Sequence, residues 1–307
     1  MDLNSSSNAH RRIAALLLIC LSVLISVELA ARLLVPRISQ IESRTVNEQR
    51  EALNIKQPSN TSPTILLLGN SLLRTAIDVP LLQERLETKW IVRRFVVEST
   101  NYIDWYYGIR NLLDSGSRPR VIAIMLNTQQ FLSDDIRGTY SAYHLFSTLD
   151  TIRAGIRTKM HLTEVTGLLV GHASGYYGLR EEMRKFAFQS IVPQADKLTS
   201  LLLPPARTDG LTLSLVETKG VARLAELQQL CSDFVVRCIF MVASEIRPSK
   251  TRARLVSLSE ETGLASAHID LDQDLSEHHF AEDHFHYSQS GSIVYTENLA
   301  RALKDIL

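Results

Sequence analysis

Short apolar runs punctuate the chain, and amphipathic stretches separate them. Residues 64–68 (TILLL) are closed by Gly69, and the pattern returns at 90–98 (WIVRRFVVE), 121–126 (VIAIML), 234–243 (FVVRCIFMVA) and 267–271 (AHIDL). Runs of this length bounded by turn residues suit strands buried on both faces of a parallel sheet. Helical spacing fills the intervals: residues 80–88, residues 105–113, the segment VARLAELQQLC ahead of the fourth run, and TRARLVSLSEETG, whose Gly263 stands at a helix C-cap. The chain closes on SGSIVYTENLARALKDIL, an amphipathic helix. Strands alternating with such helices predict an α/β fold, a three-layer doubly wound parallel sheet. Residues 132–215 interrupt the alternation with a helical piece (REEMRKFAFQSIV) and a loop (LLLPPARTDG) but no strand. An insertion of this size is expected to cap the strand ends.

Ahead of the first strand the pattern differs. Residues 13–27 carry no charge and are almost all apolar, Arg11 and Arg12 precede them, and Leu33, Leu34 and Val35 extend the run. Residues 13–35 are long enough to span a bilayer, so they read as an uncleaved transmembrane anchor. The paired arginines make residues 1–12 a cytoplasmic tail and put the remainder on the periplasmic or extracytoplasmic side. Glu28 and Arg32, four residues apart, pair near the far interface. A signal peptide cleaved near Ala30 and Ala31, or a buried helix, are the alternatives. Residues 36–61 are polar and read as a stalk holding a domain of residues 62–307 off the membrane.

Composition adds exclusions. Lys plus Arg and Asp plus Glu both number 33, so the net charge is zero. No global field gathers nucleic acid, and no nucleic-acid partner is expected. Of the three cysteines, Cys20 lies in the apolar segment, while Cys231 and Cys238 flank a strand start. They could close a disulfide outside the cytosol or remain buried thiols. Trp105, Tyr106 and Tyr107 could stack on a sugar or fill the core.

Two blocks carry candidate chemistry. The first strand runs into LLLGNSLLRTAID, placing Ser71 at the carboxyl end of the sheet, where ligands bind in open α/β folds. A serine on that turn can present its hydroxyl and its backbone N–H; alternatively it caps a helix. The second block, AEDHFHYSQSGS, puts Asp283 and His286 just before the last helix. A carboxylate three residues ahead of an imidazole can orient it as a base. His284 is the rival base on chemical grounds alone. The cluster of His278, His279, Asp283, His284 and His286 also admits a metal, though no further ligand set supports one.

Gly69-Asn70-Ser71-Leu72 together with Asp283-His284-Phe285-His286 resembles the GDSL, or SGNH, hydrolase superfamily, over residues 62–307. The resemblance implies a flavodoxin-like sheet and a triad of Ser71, His286 and Asp283, with no cofactor and no metal. It also implies oxyanion donors after the second and third strands. Asn127 matches the family's asparagine, but Met125 and Thr128 replace its neighbours. No glycine follows the second strand, so Ser99 or Thr100 would offer the backbone N–H. With the anchor included, the chain looks like envelope polysaccharide O-acyl esterases or acyltransferases. That implies an acylated carbohydrate or lipid substrate and partnership with other polysaccharide-assembly proteins. A non-catalytic glycan-binding or scaffold module is the alternative, and it expects Ser71 buried or out of reach of His286.

Overall fold

The computed structural model describes residues 3–56, 62–192, 211–245, 249–266 and 277–307. Five parallel strands form one sheet: β1 (Thr64–Gly69), β2 (Ile91–Val96), β3 (Val121–Leu126), β4 (Arg237–Val242) and β5 (Ala265–Ser266), in the order β2-β1-β3-β4-β5. The expected strand at 267–271 and the loop LLLPPARTDG lie outside the described residues. The helices before the insertion are α1 (Leu3–Ile38), α2 (Gln40–Leu53), α3 (Ser71–Ala76), α4 (Val79–Arg85), α5 (Tyr102–Asp114) and α6 (Thr128–Leu132). The insertion holds α7 (Thr139–His144), α8 (Thr148–Arg157), α9 (Leu162–Ala173), α10 (Gly175–Gly178) and α11 (Arg180–Ile191). After it come α12 (Val221–Asp233), α13 (Lys250–Glu261) and α14 (Gln289–Ile306).

Period-two alternation builds the two outer layers. Ile65 and Leu67 of β1 face one core with Leu72, Leu82, Tyr295, Leu299 and Leu303, from α3, α4 and α14. Leu66 and Leu68 face the other, with α5, α12, α13 and the insertion. β1 sits between β2 and β3, so the chain winds away from it in both directions and leaves a switch point at its carboxyl end. Gly263 follows α13 with φ +71°, as a left-handed C-cap requires. Cys231 and Cys238 are buried free thiols. Trp105 and Tyr107 are core residues, Trp105 edge-on to Phe95 at 5.5 Å between centroids.

The segment expected as a polar stalk is corrected by α2. α1 runs through Pro36 to Ile38, Ser39 turns the chain, and its hydroxyl accepts from the Glu42 N–H (3.2 Å) to start α2. α2 then lies against β2, an edge strand with backbone groups to satisfy. Val96 N–H donates to Glu48 Oε2 (2.8 Å), and Arg94 pairs with Glu48 Oε1 (3.2 Å). The buried face of α2 is largely polar: Glu42 accepts from Tyr140 Oη (2.7 Å) and meets His144 Nε2 (3.2 Å). Residues 57–61 lie outside the described residues.

α1 is long and apolar enough over His10–Ile38 to cross a membrane, and its apolar window is exposed. The insertion packs on α1 and α5, and Tyr140 and His144 join it to α2 through Glu42.

Candidate active site

Gly69 ends β1 against β3 so closely that a Cβ there would stand 2.7 Å from the Met125 carbonyl oxygen. Only glycine permits that approach. Asn70, fully buried, then ties two loops together. Its Oδ1 accepts from the Leu72 N–H (3.0 Å) and caps α3, and its Nδ2 donates to the Thr100 carbonyl (2.9 Å). Ser71 is therefore the first residue of α3, half-buried at the switch point.

The second block reaches the same rim as a closed loop. Ala281 N–H donates to the His286 carbonyl (2.8 Å) and Ser288 N–H to the His279 carbonyl (2.9 Å), while Phe280 stacks on Tyr287. Asp283 Oδ1 accepts from the backbone N–H groups of Phe285 (3.0 Å) and His286 (2.9 Å), which aims its other oxygen at the ring. His286 Nδ1 lies 2.6 Å from Asp283 Oδ2, and His286 Nε2 lies 2.9 Å from Ser71 Oγ. Hydroxyl, imidazole and carboxylate thus form one hydrogen-bonded line across 215 residues of sequence. Partial burial pushes the Asp283 carboxyl up, but the His286 and Phe285 donors outweigh it and hold it below the ordinary aspartate value. His284 takes the left-handed turn position (φ +54°), and its N–H donates to the Ala281 carbonyl (2.9 Å). Of the two rival bases, His286 is the one that meets Ser71.

The three expected oxyanion donors stand at the same edge in different states. Ser99 has φ +53°, the left-handed conformation that favours glycine. The backbone thus makes a glycine-like turn at a serine. Thr100 is fully buried; its hydroxyl donates to the Val97 carbonyl (2.6 Å) and accepts from Trp105 Nε1 (2.8 Å). Asn127 caps α6, its Oδ1 accepting from the Gln130 N–H (2.8 Å). With Oδ1 engaged in the cap, Asn127 also lines the cavity beside Ser71.

The cavity beside Ser71 measures about 720 Å³, and its walls include Leu72, Asn127, Glu245, Lys250, Phe280 and Phe285. Of the described part of the insertion, Leu211 alone lines it. Among the described residues no group of three or more His, Cys, Asp or Glu side chains could hold a metal ion.

Sequence reasoning missed the clamp on the Ser99 turn. Arg74 of α3 (2.8 Å) and Arg44 of α2 (3.1 Å) both hold Glu98 Oε1. Arg137 donates to the Glu98 carbonyl (2.8 Å) and pairs with buried Glu182 of α11 (2.8 Å). Arg74, one turn after Ser71, was the only member with a positional hint.

No family model matches the chain, and no curated protein matches it. Among solved structures, an α/β hydrolase from the metagenome of Lake Arreo, Spain, is 13% identical; the similarity covers 83% of this chain and 99% of that one, with a TM-score of 0.43. An acetylxylan esterase from Geobacillus stearothermophilus is 12% identical, covering 79% of this chain and 94% of that one, with a TM-score of 0.40. Both likenesses are distant.

Proposed function

We propose that the protein is a serine esterase or O-acyltransferase, anchored by α1 with its domain on the periplasmic side, acting on acyl esters, chiefly acetyl, of an envelope or exported glycan. The observation that carries this reading is the line from Ser71 Oγ through His286 to Asp283, at 2.9 and 2.6 Å. His286 takes the Ser71 proton as Oγ attacks the ester carbonyl, and Asp283 fixes the tautomer and steadies the imidazolium. The Ser71 N–H, the N–H of Ser99 or Thr100, and the Asn127 amide bind the oxyanion, each worth about 3 kcal/mol. The protonated imidazole returns its proton to the leaving alcohol, giving an acyl-Ser71. Water then releases the acid in an esterase, or another hydroxyl takes the acyl group in a transferase. Other polysaccharide-assembly proteins are the natural suppliers of such a substrate. The alternative, a non-catalytic module, expects His286 out of reach of Ser71, and the 2.9 Å contact does not favour it.

Labelling with a fluorophosphonate tests the reading. Wild type is expected to label, and Ser71→Ala and His286→Ala are expected not to. Labelling that persists in Ser71→Ala removes the proposed nucleophile.

A further inference from the structure

α1 is clamped to the insertion part-way along its length. Glu28 Oε1 accepts from the Gly175 N–H (2.6 Å), and its Oε2 accepts from Ser174 Oγ (2.8 Å) and the Tyr176 N–H (3.2 Å). Arg32 donates to Glu28 (2.5 Å) and to the Ala173 carbonyl (2.8 Å). The approach is tight: a Cβ on Gly175 would meet Arg32 Cγ at 2.7 Å. α11 also packs against α1.

Helix rise turns this clamp into a depth. From Ile13, where the uncharged run begins, to Glu28 is about 22 Å at 1.5 Å per residue. The hydrocarbon core of a bilayer is about 30 Å thick. With Ile13 at one boundary, the contact of Glu28 with Ser174 and Gly175 falls within the opposite leaflet, near its headgroups. A carboxylate at that depth needs partners, and Glu28 has Arg32, a hydroxyl and two backbone N–H groups. The helices around the contact are carried to the same level.

Their surface suits that level. Among the described residues, eight of the twelve large apolar side chains exposed outside α1 fall between residues 149 and 191. Leu162 on α9 is 82% exposed and Ile191 on α11 is 79% exposed, with Val170, Tyr176, Phe186 and Phe188 between them. Every residue from 184 to 191 is exposed, and Arg184 and Lys185 precede the aromatic pair. Apolar and aromatic side chains beside cations are the composition of a helix that lies in the headgroup boundary of an anionic membrane.

We propose that α9 and α11 form a second, interfacial membrane-binding surface, covered by the same bilayer that α1 crosses. This rests on α1 being the anchor. The test is full-length protein in proteoliposomes containing anionic lipid, with or without bromine on the acyl chains. Each variant is compared with wild type to subtract Trp90 and Trp105. Phe188→Trp and Ile191→Trp probe α11, Leu24→Trp probes α1, and Ile293→Trp reports an exposed site on α14, which packs on the other face of the sheet from the insertion. The expected result is loss of most of the added emission in brominated lipid at positions 24, 188 and 191, and none at 293. Quenching at 24 but at neither α11 position overturns the inference while leaving the anchor standing, and would mean that protein or water covers this face. No quenching at 24 overturns the anchor and the inference with it.

Discussion

Asn127 caps α6 and is the proposed side-chain oxyanion donor, and substitution can separate the two roles. Its Oδ1 caps α6, and the residue lines the cavity beside Ser71. Asn127→Asp keeps the capping oxygen and removes the donor. It is expected to melt like wild type and to lose roughly 10²–10³ in kcat, the cost of one oxyanion donor. Asn127→Ala is expected to lose the same activity and, in addition, about 1 kcal/mol of stability from the lost cap; thermal melts in detergent beside ester-hydrolysis rates check both. Ser99 poses the opposite case, since its φ of +53° is strained for any residue with a Cβ. The strain costs roughly 1–2 kcal/mol, and glycine returns about half of that as unfolded-chain entropy. Ser99→Gly is therefore expected to raise the melting temperature by roughly a few degrees and to retain activity, because the backbone N–H stays in place. A lower melting temperature would refute the strain. Asp283→Asn is expected to cut kcat by roughly 10⁴, as loss of the orienting carboxylate does in other serine triads, with Ser71 still labelled slowly.

Among elements, the strands were legible because both faces of β1 and β3 are buried, and unbroken apolar runs announce that condition. α2 was illegible for the converse reason. Its buried face is mostly polar, Glu42 and Thr45 beside Ala52, and a polar segment reads as solvated until its partners, Tyr140 and His144, are known. Although chemistry alone left His284 and His286 as rivals, the serine and the Asp-x-x-His loop were legible as two local blocks that resemble a known family's. The clamp of Arg44, Arg74 and Arg137 on Glu98 was not, since ion pairs between distant elements impose no spacing. The junction of β1 with β3 gives an element-scale prediction. Gly69→Ala drives a Cβ against the Met125 carbonyl, and backbone cannot yield as a side chain does. We expect a loss of about 1–3 kcal/mol, read by denaturant unfolding, together with slower fluorophosphonate labelling as Ser71 is displaced. Unchanged labelling would show that β1 shifts without moving the serine.

For the molecule as a whole, the insertion and the sheet are joined through a buried carboxylate. Asp104 of α5 is fully buried and accepts from the N–H groups of Asn101 (2.8 Å) and, across the joint, Arg137 (3.0 Å). Burial, only partly opposed by those donors, lifts its pKa from 3.8 to about 6. The folded state thus holds a proton that the unfolded chain releases, so stability from this group is full below pH 3.8 and is lost as pH rises to about 6. The expected loss over that window is about 3 kcal/mol at most. Denaturant unfolding at pH 4 and pH 7 is expected to show this decline in wild type and a flatter profile in Asp104→Asn; equal profiles would assign the decline to other groups. The joint between α1 and α2 has a different reach. A single residue, Ser39, separates them, and α2 is fastened along the sheet by Glu48. So short a junction leaves no slack between α1 and the domain that α2 is fastened to. On the proposed function, with α1 in a bilayer and a glycan as substrate, the serine would keep one altitude above the lipid, and glycan chains would have to be threaded past it at that height.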